Sequence, residues 1–314
     1  MKKAVVIVGG GIMGRDIAAI FIAAGWKTQI VARDEGKWPQ LRRSLQASVE
    51  QLGAVVHPVI HLRADIGDVD WDGVVLALEV VPEQLELKRK VFAALDASAP
   101  ANVVIGSNSS SLRITDIAAD LAGAARMANT HFFQPAHIVP LIEIAKGDTT
   151  SSRTMETLHD IFYAVGRAPV RVNSDLPGFL ANRMQHALMR EAFAVIDSGL
   201  ASAEDVDTAV QFGFGFRYVA AGPMLIKEFA GFDTQHAAAT AIYPTLCNDS
   251  APGKTLSGLV EQKHFGVKSR KGLRNWTPES IEEERGRYES ALMKAAGILW
   301  SSLGFKKQQA PREN

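Results

Sequence analysis

The sequence feature that most constrains the fold is a glycine-rich stretch, VGGGIMG, which lies between an apolar run and a helical pattern. It supplies G-x-G-x-x-G at Gly9, Gly11 and Gly14, directly after AVVIV (4–8). Glycines at this spacing allow a tight turn, close approach of the backbone to a pyrophosphate, and packing of a helix on the strand, with the helix N-terminus facing the anion. The stretch therefore predicts a dinucleotide site.

The first half of the chain alternates short apolar runs with helical patterns. The runs are apolar throughout, which suits strands covered on both faces by helices and hence a mostly parallel α/β sheet. They lie at residues 4–8, 28–32, 72–78, 102–106, 127–132 and 140–144, with a closing strand at 168–174. Helical patterns follow, so we predict two domains, an α/β domain over 1–174 and an all-helical domain over 175–314.

The charge balance and the cysteine content limit the classes of function. The 34 basic and 34 acidic side chains cancel, which argues against broad binding of nucleic acid or anionic membranes. No apolar run approaches the roughly 20 residues that a membrane span needs, and no signal-peptide cleavage site follows the start. Cys247 is alone, and the histidines show no metal-ligand spacing. We expect a cytoplasmic protein that needs no metal and acts on a small molecule.

The end of the second strand bears on the choice of cofactor. An acid usually stands there and bonds the adenosine ribose, but this chain has Ala32 followed by Arg33. A neutral side chain followed by arginine would tolerate a ribose 2′-phosphate and could pair with it, so NADP is favoured. NAD stays the alternative because Asp34 could serve the ribose. Arg33 could also be an ordinary solvated charge.

Two polar residues, Ser110 and His131, stand where a nicotinamide would lie, and Glu143 could orient the histidine. Ser110 follows one strand within GSNSSSL, and His131 and Glu143 belong to THFFQPAHIVPLIEI. The carboxyl ends of parallel strands face the ligand crevice. Alcohol oxidation needs a base for the hydroxyl proton, and an imidazole with a pKa of about 6.5 suits that task. His131 with Glu143 is thus a plausible base dyad, although Ser110 alone could simply cap the next helix.

The segments GSNSSSL, THFFQPAHIVPLIEI and DLPGFLANRM together resemble the L-3-hydroxyacyl-CoA dehydrogenase family over nearly the whole chain. The resemblance implies an N-terminal Rossmann doubly wound sheet, a helical C-terminal domain that forms a homodimer, and an active site in the cleft between them. It also implies that His131 is the base, Glu143 its partner, and that Ser110 and Asn182 bond the reacting oxygen. Family positions near the cofactor correspond to Glu83, Lys88, Asn108 and Lys268, and Gln134 stands where the family usually has asparagine.

The region after the second strand bears on whether the substrate is a coenzyme A thioester. Acyl-CoA members of the family have a long helical excursion there, with a serine and a lysine that hold coenzyme A. Here it is short, with one helix at about 37–53, and an ungapped match gives Ser48 at the serine position but Val55 at the lysine position. Arg42 and Arg43 could still meet a phosphate, so an L-3-hydroxyacyl-CoA dehydrogenase stays the first alternative.

The stretch GFGFRYVAAGP (213–223) favours a different substrate. It is similar to the free hydroxy-acid branch of the same family, with L-gulonate 3-dehydrogenase (lambda-crystallin) and L-carnitine dehydrogenase, which have a G-x-G-x-R-[YW] … GP pattern. We expect Arg217 to bind the substrate carboxylate as a bidentate pair and so orient the 3-hydroxyl. A guanidinium that bridges the dimer or caps a helix is the other interpretation.

These observations predict an oxidoreductase that transfers a hydride between a nicotinamide cofactor and the 3-hydroxyl of a small free 3-hydroxy acid. Dehydrogenases that use a helical lysine as base are disfavoured, because the helix after DLPGF offers Asn182 and Arg183 instead. A non-enzymatic, crystallin-like nucleotide-binding protein is disfavoured because Ser110, His131 and Glu143 are present together with Asn182.

Overall fold

The computed structural model describes residues 3–54 and 60–302, apart from the side chain of Ser302. The chain divides into two compact units, with the division between Ala181 and Asn182. The boundary near Ser174 concerns independently folding domains and stays a prediction. Within the described ranges, no helix is both long enough and apolar enough to cross a membrane.

The first unit is built on a single sheet. Within the described residues it has eight strands in the order β3-β2-β1-β4-β5-β6-β7-β8. Neighbouring strands are parallel except β6 and β7, which are antiparallel. The strands are β1 (Ala4–Val8), β2 (Lys27–Val31), β3 (His61–Arg63), β4 (Val74–Glu79), β5 (Val104–Ser107), β6 (Met127–Phe132), β7 (Leu141–Ala145) and β8 (Ala168–Val172). The predicted α/β class and doubly wound sheet are confirmed, and the strand order reverses beside β1, where such sheets bind ligands.

Helices cover both faces of this sheet, which explains the uninterrupted apolar runs. The helices are α1 (Ile12–Ala23), α2 (Trp38–Gln51), α3 (Leu85–Ser98), α4 (Ile114–Ile117) and α5 (Ser152–Ala164). In β1, Val5 and Ile7 pack in one core cluster with α1, α2 and α5, whereas Ala4, Val6 and Val8 pack in another with α3 and α4. Successive strand residues point to opposite faces, so a strand covered twice must be apolar at every position.

The second unit is helical and keeps much of its apolar surface exposed. Its helices are α6, which begins at the division, α7, α8, α9, α10, α11 and α12; they span Ala181–Asp197, Ala203–Ala209, Gly215–Arg217, Pro223–Ala230, Phe232–Ile242, Lys254–Glu261 and Pro278–Ser302. Ser202 caps α7, because its side chain accepts from the amide of Asp205 at 3.1 Å. The helical class of this region, predicted from its sequence pattern, is confirmed.

A π-helical turn lies between α7 and α8. It spans Val210–Phe214, and Gly213 within it leaves the helical conformation, with φ −95° and ψ −111°. A Cβ atom on Gly215 would lie 2.6 Å from the carbonyl oxygen of Val210. The turn therefore needs a residue without a side chain at this position. Such turns are frequent at functional sites, and this one leads directly to Arg217 at the end of α8.

Candidate active site

The glycines of the first loop leave room for a phosphate-bearing ligand. Gly9 has a φ of +127°, and a Cβ there would lie 2.6 Å from the carbonyl oxygen of Val80. A Cβ on Gly14 would overlap the carbonyl oxygen of Gly9. Gly11 is the N-cap of α1, and an ideal Cβ there would have no described neighbour within 4 Å. The loop is thus tight on its inner side and open at the helix N-terminus, which fits a dinucleotide pyrophosphate.

The end of β2 holds the residues expected to choose between NAD and NADP. Arg33 and Asp34 are exposed. The Asp34 carboxylate lies 2.8 Å from the Lys37 ammonium, and this hydrogen bond and charge hold the pKa of Asp34 below its ordinary value. The carbonyl oxygen of Ala32 accepts a hydrogen bond from the Trp38 indole at 2.8 Å. The backbone here is fixed, and Asp34 already has a cationic partner.

A buried histidine and a buried carboxylate meet across β6 and β7. His131 pairs with Glu143 in the antiparallel register, and Nδ1 of His131 lies 2.8 Å from Oε2 of Glu143. His131 is 6% exposed and Glu143 is 0% exposed. A carboxylate only accepts hydrogen bonds, so Nδ1 carries the proton and the lone pair of Nε2 is available as a base. The two residues of the predicted dyad are thus in hydrogen-bond contact, in an arrangement that could serve as a base.

The other oxygen of Glu143 anchors the start of α6. Oε1 accepts hydrogen bonds from the backbone amides of Leu180, at 3.0 Å, and Ala181. Gly178 and Phe179 precede them with φ values of +79° and +47°. A bulky residue with positive φ is uncommon, and here the turn aims the two amides at Glu143. The DLPGF segment, which the sequence connected only with a family resemblance, thus contains the two positive-φ residues of this turn.

The loop after β5 carries Ser110 and is held against the end of β6. Oδ1 of Asn108 accepts a hydrogen bond from the amide of Phe132 at 2.9 Å, next to His131. The backbone amide of Ser110 donates to Oε1 of Glu83 at 3.1 Å. Asn108 thus fixes the serine loop to the strand that ends beside the base.

Glu83 organises the same loop from the other side. Its Oε1 accepts from the Ser109 hydroxyl at 2.6 Å and from the amides of Ser110 and Ser111 at 3.1 and 3.0 Å. Partial burial alone would raise the pKa of Glu83, but the hydrogen bonds from Ser109 and Ser111 and the nearby charge of Lys88 outweigh it and lower the pKa to about 2. Glu83 is therefore an anionic clamp on the serine loop.

Sequence reasoning missed a buried carboxylate, Glu79. Its oxygens accept from the Lys88 ammonium at 2.8 and 3.1 Å, the Ser107 hydroxyl at 2.7 Å and the Val81 amide at 2.6 Å. Lys88 is 1% exposed and also lies 3.3 Å from Oε2 of Glu83. The available signal was a glutamate directly after a fully apolar strand, because a carboxylate is rarely buried without a partner.

The remaining predicted residues have no side-chain hydrogen bond to this group among the described residues. Gln134 is exposed after β6 and forms a cis peptide with Pro135. Asn182 and Lys268 belong to the second unit, in the first turn of α6 and in a short 3-10 turn. Arg217 is also in that unit, exposed, and no ion pair or side-chain hydrogen bond with another described residue involves it. The structure thus joins Ser110, His131, Glu143, Glu83, Lys88 and Asn108 within the first unit only.

The serine position associated with coenzyme A is buried. Ser48 is 4% exposed on α2, and its hydroxyl bonds Oδ1 of Asp16 at 3.0 Å and the carbonyl oxygen of Ser44 at 3.2 Å. Arg42 donates to the carbonyl oxygen of Ile60 at 3.1 Å. Val55, at the lysine position, lies outside the described residues. Ser48 thus serves the packing of α1 on α2.

Family models and curated relatives agree over this chain. The model of the 3-hydroxyacyl-CoA dehydrogenase NAD binding domain matches residues 4–176, and that of the C-terminal domain matches 178–276. The chain is 31% identical over 299 residues to 5-formyl-3-hydroxy-2-methylpyridine 4-carboxylate 5-dehydrogenase of Mesorhizobium japonicum, covering 91% of this chain and 96% of that protein. It is 30% identical to L-carnitine dehydrogenase of Streptomyces coelicolor (84% and 92% covered) and 32% identical to human mitochondrial hydroxyacyl-coenzyme A dehydrogenase (86% and 90% covered).

Solved structures show the same relationships. A structure of 5-formyl-3-hydroxy-2-methylpyridine 4-carboxylic acid 5-dehydrogenase, described as an NAD+ dependent dismutase, superposes with a TM-score of 0.89 at 28% identity, covering 95% of this chain and 99% of that one. The (S)-3-hydroxybutyryl-CoA dehydrogenase of Ralstonia eutropha superposes with a TM-score of 0.70 at 26% identity, covering 88% and 100%.

Proposed function

Because this chain belongs to the 3-hydroxyacyl-CoA dehydrogenase family and is an NAD-dependent dehydrogenase of CH–OH groups, we propose that its substrate is a small free hydroxy acid rather than a coenzyme A thioester. The observation that carries this proposal is Arg217, an exposed guanidinium between Phe216 and Tyr218 with no ion pair among the described residues. A guanidinium presented in this way suits bidentate binding of a carboxylate.

In the proposed reaction, His131 removes the hydroxyl proton through Nε2, because Nδ1 is held by Glu143 at 2.8 Å. The Glu143 carboxylate stabilises the imidazolium that forms and keeps the ring in one orientation. Ser110 and Asn182 would donate to the oxygen that becomes a carbonyl. A nicotinamide cofactor, when bound at the glycine loop, accepts the hydride.

The burial of Ser48 supports the free-acid proposal. Its hydroxyl is engaged by Asp16 and by the backbone carbonyl oxygen of Ser44, so the serine at the family's coenzyme A position is not available to a pantetheine or nucleotide arm. A short-chain 3-hydroxyacyl-CoA substrate would use the same catalytic residues, but it would lack the contact between coenzyme A and the serine at position 48. It remains the competing hypothesis because several relatives carry coenzyme A in their names.

A pyridine carboxylate with a formyl group is a second candidate substrate. The high TM-score of 0.89 to the dehydrogenase of such a compound favours it. The hydrated form of a formyl group is itself a CH–OH group, so His131 could act on it as on an alcohol. The substrate would again end in a carboxylate suited to Arg217, and Phe216 and Tyr218 would offer aromatic surface beside it.

We propose NAD as the cofactor. The matching family model and the NAD+ dependent relative support NAD, whereas the NADP preference expected from Ala32 and Arg33 gains no support from them. Arg33 is exposed, which suits a solvated charge and a contact with a ribose 2′-phosphate equally, so the proposal of NAD rests on the family model and the relative.

We also propose a homodimer formed through the second unit. Large apolar side chains remain exposed there, with Phe212 at 81% and Phe229 at 78%, and a mostly apolar cavity of about 480 Å³ lies among residues of α6, α7 and α11. Apolar surface of this extent marks an interaction site, and a second copy would cover it. Sedimentation equilibrium should give twice the monomer mass at micromolar concentration, and the monomer mass alone would contradict the proposal.

A substrate panel tests the proposed function. Free 3-hydroxy acids, L-carnitine, the hydroxymethyl and formyl pyridine carboxylates, and 3-hydroxybutyryl-CoA are each assayed with NAD and with NADP. We expect the highest kcat/KM for a free carboxylate with NAD. Turnover of the thioester with no turnover of any free acid would overturn the free-acid proposal, and a strong NADP preference would overturn the cofactor assignment.

A further inference from the structure

We propose that Glu79 is a positioning residue for this reaction and that it holds the loop carrying Ser110 through a buried network of charges. This inference rests on the proposed role of Ser110 at the reacting oxygen. No motif in the sequence pointed to Glu79. Among the described residues its side chain bonds Lys88, Ser107 and the Val81 amide. These contacts connect the loop that carries Ser110 with the segment after β4, where Val80 lies against Gly9 of the glycine loop.

Glu79 ends β4 at the centre of the sheet. It pairs with Val8 of β1 on one side and with Ser107 of β5 on the other. Its carbonyl oxygen accepts from the amide of Asn108 at 2.9 Å, and its Oε2 accepts from the Ser107 hydroxyl at 2.7 Å. Backbone and side chain together therefore fix the last residue of β5 and the first residue of the serine loop.

Lys88 extends this hold to the rest of the loop. Its ammonium has oxygen acceptors from Glu79 at 2.8 Å, Val81 at 3.2 Å and Glu83 at 3.3 Å, enough for its three N–H groups. Glu83 in turn accepts from the amides of Ser110 and Ser111. The Lys88 charge, placed by Glu79, thus favours the anionic form of the residue that clamps the loop.

The link from Glu79 to the glycine loop is weaker in kind. The Val81 amide donates to Glu79 at 2.6 Å, and the neighbouring Val80 carbonyl faces Gly9 at a distance that only a glycine tolerates. The contact between Val80 and Gly9 is a van der Waals contact and not a charged hydrogen bond. Loss of the Glu79 charge should therefore disturb the serine loop far more than the binding of the dinucleotide.

The test is Glu79→Gln in the full-length protein, with Glu86→Gln as the matched control. Glu86 lies on α3, two residues before Lys88, but it is exposed and its ion pair among the described residues is with Arg89. Hydrogen exchange of the segment 107–112 needs no substrate. In Glu79→Gln we expect its amides to exchange about tenfold faster or more, because their acceptor Glu83 loses its fixed cation. The control should match wild type.

Kinetics and cofactor binding supply the second readout. With the best acid from the panel, kcat of Glu79→Gln should fall about tenfold or more, since small displacements of a catalytic group are costly. The Kd for NADH, read by fluorescence, should rise by less than about tenfold and so by less than kcat falls, because the glycine loop keeps its own contacts while Glu83 and Lys88, at family positions near the cofactor, lose part of their support. A residue with only a structural role would lower the unfolding temperature without lowering kcat more than it weakens the binding of NADH.

Several outcomes overturn the proposal. Unchanged exchange at 107–112 does so, as does a collapse of NADH binding with unchanged kcat at saturation. If Glu79→Gln does not fold, Ser107→Ala decides, because it removes a hydroxyl donor to Glu79. The Ser107 hydroxyl also accepts from the Ser109 amide, so only the amides of residues 110–112, which donate to Glu83, are read; faster exchange there supports the proposal and unchanged exchange contradicts it. If no acid is turned over even by wild type, the proposed function fails, while the exchange experiment still reports on Glu79.

Discussion

The two units differ in how they present the charged residues proposed for the site. In the first unit, His131, Glu143, Glu79 and Lys88 are buried and each has a hydrogen-bonded or ionic partner. In the second unit, Arg217 is exposed and has no ion pair with any described residue. Groups that are buried and paired are fixed before any ligand arrives, whereas an exposed guanidinium can take its anion from the substrate.

This difference suggests a division of labour that fits the family comparison. A fixed base and a fixed serine loop suit a reaction that many relatives share, the oxidation of a CH–OH group. An exposed arginine at the end of α8, just after the π-helical turn, suits a choice among substrates.

The substitution His131→Gln is the strongest test of the buried, paired residues of the first unit. We expect kcat to fall about 10²–10⁴-fold, because general-base catalysis contributes on that order. His159→Gln is the control, since His159 is a more exposed histidine of the same unit on α5. Steady-state rates with the best acid of the panel measure both. A His131→Gln enzyme with more than a tenth of the wild-type kcat would place the base elsewhere.

Ser48→Ala tests whether a buried polar group of the first unit serves stability alone. We expect the free energy of unfolding to fall by about 1–3 kcal/mol, because the buried Asp16 carboxylate loses a hydrogen-bond donor. KM values for free acid and thioester should not change. Ser44→Ala, one turn earlier on the same helix, is the control. A raised KM for 3-hydroxybutyryl-CoA alone would show that Ser48 contacts the coenzyme.

The depressed pKa of Glu83 predicts a pH-dependent stability. Its pKa is about 2 in the folded protein against an ordinary 4.5, so its contribution is complete above the ordinary value and is lost as the pH falls toward 2. Glu83→Gln should therefore lower the unfolding temperature by a few degrees at about pH 7, and less with each step below about pH 4.5. Glu86→Gln gives the baseline. A difference that stays constant down to about pH 3 would contradict the assigned pKa.

The apolar runs of the first unit predicted nearly all of the sheet, because burial on both faces leaves a strong signal in composition. The short strand His61–Arg63 escaped, since two of its three residues are polar and only Leu62 is buried. Its pairing with β2 depends on tertiary context rather than on its own pattern.

The site was predictable where a residue's chemistry is unusual for its surroundings. Glu143 in an apolar strand indicated a partner, and His131 is that partner. Lys88 gave no such signal, because a lysine in an amphipathic helix normally faces solvent and only the fold reveals that it meets Glu79. The π-helical turn before Arg217 also depends on backbone geometry that two glycines permit but do not specify.

The most direct test of the division of labour is the ratio of kcat/KM for the best free acid to that for 3-hydroxybutyryl-CoA, measured for wild type and Arg217→Met. Met keeps much of the side-chain volume and removes the charge. We predict that the kcat/KM on the free acid falls about tenfold or more while that on the thioester changes little, since only the acid loses a charge-assisted hydrogen bond. Arg285→Met, on α12 of the same unit, should leave the ratio unchanged. An unaltered ratio in Arg217→Met would contradict the account.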